Sequence, residues 1–194
     1  MKTCLLILLC LLLPGLAGAR ADAAFKAGEF TPARMAPDFV LDGSDGKPFT
    51  LSAYRGKLVV LEFGFSHCTE VCPVSLAALS AARRQMGAAA ADMQVVFVTV
   101  DPERDSVPRL HSYLAAFDPA IIGVTGSVAQ LAKVRKDYGI NASRHMMDGG
   151  KGDYTMSHSS YLYFIDRKGM LRTLMPFGRP VADIVHDASL LLKQ

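Results

Sequence analysis

The stretch Leu58-Val-Val-Leu-Glu-Phe-Gly-Phe65, followed at once by Ser66-His67-Cys68-Thr69-Glu70-Val71-Cys72-Pro73, decides the fold. Its first half is nearly continuous apolar chain, as a strand buried on both faces should be. Pro73 then opens an Ala- and Leu-rich segment running to Met86, and proline is favoured at the start of a helix. Gln94-Val-Val-Phe-Val-Thr-Val100 is a second buried-strand run. Strand, helix and strand at this spacing predict a βαβ unit with parallel strands. Pro73 also biases Cys72 away from helical geometry, so the x3 spacing of the cysteines is read as a loop spacing.

Before this unit, Asp38 to Leu51 alternates weakly around Asp42-Gly43 and Asp45-Gly46, which predicts a small hairpin. Residues 24–37 read as a loose lead-in. After it, a helix opens near Ser106 and Pro108, with Leu110, Tyr113, Leu114 and Phe117 on one face. Ser127-Val-Ala-Gln130 is a capping box that opens another helix, with Val128, Leu131, Val134 and Tyr138 facing inward and Gly139 as its stop. Asn141 to Asp153 is rich in glycine and reads as a mobile loop. Ser160 to Ile165 and Met170 to Leu174 are short strands joined by Asp166-Arg-Lys-Gly169. Pro180 to Leu192 closes the chain as a helix, with Val181, Ile184, Val185 and Ala188 inward. The order predicts an α/β fold: a thioredoxin-like sandwich with an N-terminal hairpin and an inserted helical segment, over residues 38–194.

Met1-Lys2-Thr3, the apolar run Cys4 to Leu13, the break at Pro14-Gly15 and small residues to Ala19 have the three-part layout of a secretory signal peptide. Cleavage is expected after Ala19 or Ala23, which makes residues 1–23 an address. The competing reading is an uncleaved anchor, although the run is shorter than the roughly 20 apolar residues a spanning helix needs. Cys10 follows Leu8 and Leu9, not the small residues of a lipoprotein site. Removing residues 1–23 takes Cys4 and Cys10 out of a total of four cysteines and leaves Cys68 and Cys72. It also removes Lys2, Arg20 and Asp22, so the formal charge of +3 becomes +2. The mature protein is expected to be nearly neutral, exported and placed where thiols oxidise.

With 194 residues, 51% of them hydrophobic and 20% charged, the chain suits one folded domain and excludes both disorder and a multi-span membrane protein. The small charge gives no footprint for nucleic acid. No Cys-x-x-Cys-His haem site, Gly-x-Ser-x-Gly elbow or phosphate-binding glycine loop occurs. A peroxiredoxin pattern read back from Cys72 finds Thr69 in place but Phe65 where proline should stand.

Cys68 and Cys72 lie at the carboxyl end of a parallel strand, where α/β folds place their sites. The amides and dipole of the following helix favour thiolate there. Three readings stay open for the pair: a structural disulfide, a redox dithiol with unusual spacing, and a metal site on two thiolates. The last needs a third ligand, and His158, in Tyr154-Thr-Met-Ser-His158 before the late hairpin, is the best candidate. His67 adjoins Cys68 but should point away from it. His111 and His186 fall in helices without partners, and His145 falls in the glycine-rich loop. Met146, Met147 and Met156 invite a copper–thioether reading against one of chance clustering. Asp101 is either an acceptor behind the site or the organiser of the turn after the second strand.

From about Met35 to the C-terminus the sequence closely resembles the SCO/SenC family of copper-binding, thioredoxin-like proteins. The resemblance rests on Ala36-Pro37-Asp38-Phe39 with Gly56-Lys57, and on Phe63-Gly-Phe-Ser-His-Cys68-Thr-Glu-Val-Cys72-Pro73. It also rests on Thr99-Val-Asp-Pro-Glu-Arg-Asp105, on Ala116-Phe-Asp-Pro119 with Gly123-Val-Thr-Gly126, and on Tyr154-x3-His158-Ser159 with Tyr161-Leu162. It implies that Cys68, Cys72 and His158 bind one copper ion, as Cu(I), Cu(II) or both. It further implies a periplasmic metallochaperone whose partner is the CuA-bearing subunit of a respiratory cytochrome oxidase, or another periplasmic copper protein. The alternative is a thiol–disulfide oxidoreductase that reduces the cysteines of the CuA site, or of another exported partner, through Cys68 and Cys72. A monomer is expected, touching membrane only through an uncleaved N-terminal segment. Thr69-Glu70 stands where the family often has Pro-Asp, and Ser157 where an Asp often precedes the histidine, so the acidity around the ligands differs.

Overall fold

The computed structural model describes residues 24–147 and 153–194. Strand β4 (Leu58–Gly64) is buried at every position, as its apolar run requires. It pairs in parallel with β5 (Met93–Thr99) across helix α1 (Val71–Met86), so the expected βαβ unit is present. Around it the chain adds β1 (Gly28–Met35), β2 (Val40–Gly43), β3 (Pro48–Thr50), α2 (Val107–Ala115), β6 (Ile122–Thr125) and α3 (Val128–Tyr138). Strands β7 (Ala142–Met146), β8 (Tyr154–His158), β9 (Tyr161–Ile165) and β10 (Met170–Pro176) and helix α4 (Val181–Leu192) follow. The main sheet has eight strands in the order β1-β10-β9-β4-β5-β6-β2-β3; β7 and β8 form a separate two-stranded sheet.

Side chains alternate across β4, and the two faces receive different layers. Glu62 and Gly64 face α1: a Cβ built on Gly64 would lie 2.6 Å from Phe97 Cε2 and 2.8 Å from Cys72 Sγ. Helix α4 packs beside α1, and α2 covers Gly123 on β6. Phe63 points the other way, toward α3, and its ring lies 5.6 Å from that of Tyr138 and 5.7 Å from that of Tyr163. Such aromatic pairs contribute about 0.5–1.5 kcal/mol each beyond their buried area. The C-terminal helix is tied to the start of the described chain by Asp187. Its wholly buried carboxylate accepts from the amides of Lys26 and Ala27 at 2.8 and 2.9 Å.

The structure corrects four local expectations. Residues 28–35 are not a loose lead-in but edge strand β1, paired with β10; an interior proline and mostly exposed side chains leave no alternation to read. Strand β6 escaped notice because four residues carry too little pattern. The start of the glycine-rich segment is strand β7, which pairs with β8 just beyond it, and the residues of both are half-buried or exposed; residues 148–152 lie outside the described residues, as does the expected signal at 1–23. Val128 opens α3 and is exposed, whereas Leu131, Val134 and Tyr138 are buried as expected. The capping box at Ser127, the cap of α2 at Ser106 and the Gly139 stop all form.

Gly64 admits no side chain because Phe97 and the Cys72 sulfur close over it. Gly64→Ala is therefore expected to lower the stability of the reduced protein by about 1–3 kcal/mol, read as a fall in the denaturation midpoint. An unchanged midpoint would contradict this packing.

Candidate metal centre

The loop after β4 lies beside the loop after β5, and the Val100 amide donates to the Gly64 carbonyl at 2.8 Å. Asp105, wholly buried, holds the cysteine loop: it accepts from the Ser66 amide at 3.0 Å and from Thr99 Oγ1 at 2.6 Å. Arg109 Nε donates to Ser66 Oγ at 2.9 Å from the other side. The loop that carries Cys68 is thus fixed by groups from the second strand and α2.

Cys72 lies in the first turn of α1, contrary to the loop position expected from Pro73. The first amides of a helix have no intrahelical acceptor, so a proline there breaks no bond and the helix starts two residues earlier. Cys68 remains in the loop, and its Sγ receives the Cys72 amide at 3.4 Å. The sulfur caps the helix. Cys68 is held at about 4, from 9.0, first by a hydrogen bond from the Cys72 thiol and also by the amides of Cys72, Glu70 and Val71, against the opposing effect of burial. Cys72 is pushed up, first by that shared proton, then by burial and the nearby Glu62. One sulfur carries the charge and the other keeps the proton. The two are not joined in a disulfide.

His158 ends β8, where the sequence placed it in a loop ahead of the next strand. Its Nδ1 is 3.1 Å from the Ser159 carbonyl, an acceptor that places the proton on Nδ1 and leaves the Nε2 lone pair free. Nε2 lies 3.6 Å from Cys72 Sγ. The Phe65 ring meets the imidazole edge-on, 5.9 Å away at 89°, and fixes its plane. Among the described residues, the one group of three or more His, Cys, Asp or Glu donors close enough to hold an ion is Cys68, Cys72 and His158, with all ligand atoms within 4.8 Å of one another. Three such donors around an ion at about 2.0–2.3 Å would stand about 3.5–4 Å apart. The set therefore fits one soft ion with little movement. It borders a cleft of about 330 Å³ lined by Phe65, Cys68, Glu70, Met156, Ser157 and His158.

Other candidates are dispersed. His67 is exposed beside Ser66, His111 Nδ1 is 3.1 Å from the Ser44 carbonyl, and His186 lies 2.9 Å from Asp187. His145 is exposed, 2.8 Å from the Ser157 hydroxyl. Met156 lines the cleft, whereas Met146 and Met147 are exposed away from it. Asp101 fills both roles read for it. Its carbonyl accepts from the Arg104 and Asp105 amides, and its carboxylate accepts from Tyr154 Oη at 2.8 Å on the hairpin that bears His158. Glu62 was not singled out in the sequence because it sits inside an apolar run. It is buried beneath the pair, and burial raises its carboxyl to about 8, with a Ser75 hydrogen bond opposing. At neutral pH it is mostly uncharged, which spares the Cys68 thiolate a buried anionic neighbour.

The family model described as SCO1/SenC matches residues 28–193. The chain belongs to the SCO1/SenC family. It is 34% identical over 153 residues to a mouse protein described as "Protein SCO2 homolog, mitochondrial", covering 77% of this chain and 59% of that one. The chain spans about half the length of the curated relatives it matches. Two solved structures with bound copper superpose closely. Bradyrhizobium japonicum ScoI shares 34% identity at a TM-score of 0.75, covering 81% of this chain and 99% of that chain. Yeast Sco1 shares 28% identity, also at 0.75, covering 83% and 90%. The thioredoxin-like α/β fold of the SCO/SenC chain is thereby shared with copper-holding relatives.

Thiolate is the reactive form, so Cys68 should alkylate in the metal-free, reduced protein at a rate nearly flat from pH 6 to pH 8. An ordinary thiol near 8.5 would speed up by more than about tenfold over that range. Cys72 should remain unlabelled at pH 6. Peptide mass spectrometry after brief iodoacetamide treatment reads both, and preferential labelling of Cys72 would reverse the assignment.

Proposed function

We propose that this SCO/SenC protein binds one copper ion through Cys68, Cys72 and His158 and delivers it to the CuA site of a respiratory cytochrome oxidase subunit. The observation that carries the reading is the convergence of two sulfurs and one imidazole nitrogen within 4.8 Å, with Cys68 and His158 lining an open cleft and Cys72 buried behind them. Two thiolates and an imidazole suit Cu(I) by softness and Cu(II) by the nitrogen. A three-donor set in an open cleft leaves room for an incoming ligand of the partner, which is what transfer of a cargo ion needs. The copper-bound relatives, and a Sco-family neighbour described as a cytochrome c oxidase assembly protein, support the same reading.

The copper-binding domain, read from the sequence as residues 38–194, extends back to Gly28 because β1 belongs to its sheet, and residues 1–23 act as a signal or anchor that places it in the periplasm as a monomer. No helix among the described residues is long and apolar enough to cross a membrane. A second reading, thiol–disulfide exchange with the CuA cysteines, is favoured by the half-buried Cys68 thiolate beside a protonated Cys72. Copper and a Cys68–Cys72 disulfide would compete for the same sulfurs, so metal loading and redox state are coupled.

Anaerobic Cu(I) titration of reduced protein against a competing chelator should show one ion per chain. His158→Ala should weaken binding by at least about 10–100-fold, and Cys68→Ser or Cys72→Ser by more. Stoichiometric binding unchanged by loss of His158 would defeat the three-ligand site. Stoichiometric reduction of a CuA-domain disulfide by the reduced, metal-free protein, with Cys68 and Cys72 oxidised to a disulfide in exchange, would favour the second reading.

A further inference from the structure

Cys68 and Cys72 stand on the rigid junction of β4 and α1, but His158 stands on β8, whose strand partner is β7 alone. An isolated two-stranded hairpin is at best marginally stable in water. Besides its continuation into β9 and the packing of Ala142 and Met156 on the core, the hairpin is held over the cysteines by side-chain bonds to the frame, and the buried ones converge on one residue. The Tyr154 ring lies between two guanidinium groups, with Arg104 Cζ 3.7 Å and Arg144 Cζ 4.0 Å from its centroid. Its hydroxyl donates to Asp101 Oδ1 at 2.8 Å, and its carbonyl accepts from Arg104 Nη1 at 2.8 Å. Arg104 Nε donates to Asp101 Oδ2 at 2.5 Å, and the Asp101 carboxylate is buried. Arg104 also lies over the Phe65 ring at 5.9 Å, and that ring meets the imidazole of His158.

These contacts are unequal. The Arg144–Glu103 ion pair also joins the hairpin to the turn after β5, but it is formed by exposed groups, and such pairs contribute little. The bonds to Asp101 are charge-assisted and shielded from water, the kind that holds geometry. Arg104 and Asp101 belong to the turn after β5, so the grip ties the hairpin to the frame that also fixes the cysteine loop.

We propose that Tyr154, gripped by Arg104 and Asp101, is a positioning residue that sets how often His158 faces the cysteine pair, and so sets metal affinity without altering the dithiol. The proposal rests on the reading of Cys68, Cys72 and His158 as ligands. An ion that needs all three binds only molecules with the hairpin docked, and its apparent affinity scales with their fraction. By linkage, metal binding in turn tightens the hairpin.

The test uses the full chain with Tyr154→Phe, which removes the hydroxyl bond, and Tyr154→Leu, which also removes the stacked ring. In metal-free protein, hydrogen exchange of β7–β8 amides should quicken by about tenfold or more in Tyr154→Leu, with Tyr154→Phe between it and the parent. Cu(I) affinity should fall about tenfold in Tyr154→Leu, while Cys68 alkylation at pH 6 and the thermal midpoint of the main sheet stay unchanged. In a His158→Ala background, Tyr154→Leu should have no further effect on affinity. Faster exchange with parental affinity, or an equal loss of affinity without His158, overturns the positioning role while the ligand assignment stands. If His158→Ala itself leaves affinity unchanged, both the ligand assignment and this proposal fall.

Discussion

The sulfur of Cys68 occupies the position of a helix cap, and most of the site follows from that contact. The first amides of α1 have no partners within the helix, and Cys68 Sγ takes that of Cys72 at 3.4 Å. The interaction stabilises charge on one sulfur, places the second sulfur one turn away, and demands that the loop between them be short. It also requires β4 to end where it does. Gly64 brings the backbone under Cys72, and Asp105 secures the Ser66 amide behind the loop. A strand buried on both faces supplies the rigid base.

Charge around the pair is managed by burial as much as by pairing. Cys72 and Glu62 both keep their protons near neutral pH, so a single thiolate stands at the helix end. Two thiolates and an ionised Glu62 in so small a volume would repel strongly. An arriving cation displaces the remaining thiol proton, and this links metal affinity to pH through the site as a whole. The third donor comes from a different structural unit, the small hairpin β7–β8, fastened by aromatic and charge-assisted contacts to the turn after β5. The site thus combines a fixed half with a fastened half.

Much of this was legible in the chain. The runs Leu58 to Phe65 and Gln94 to Val100 specified parallel strands because burial on both faces leaves no polar alternation, and the capping box at Ser127 specified its helix by local hydrogen bonding. Cys68 and Cys72 were legible as chemistry because they are the only cysteines outside the expected signal, and His158 because it precedes the late hairpin in the motif that the family resemblance rests on. Short or polar elements were not legible. Strand β1 contains a proline and faces mostly solvent, β6 has four residues, and β7–β8 takes its position from Arg104 and Asp101, far away in sequence.

The sequence by itself determined the strand–helix–strand core, the clustering of two thiols at a strand's end and the kind of ion that such donors prefer. These are consequences of local pattern and side-chain chemistry. Tertiary structure alone decided that Cys72 is helical, that the Cys68 sulfur meets its amide, that Glu62 lies beneath the pair and that Arg104 and Asp101 grip Tyr154. Each of these depends on burial or on a partner more than a turn away in the chain, and no local pattern encodes the dielectric or the neighbour that a residue meets after folding.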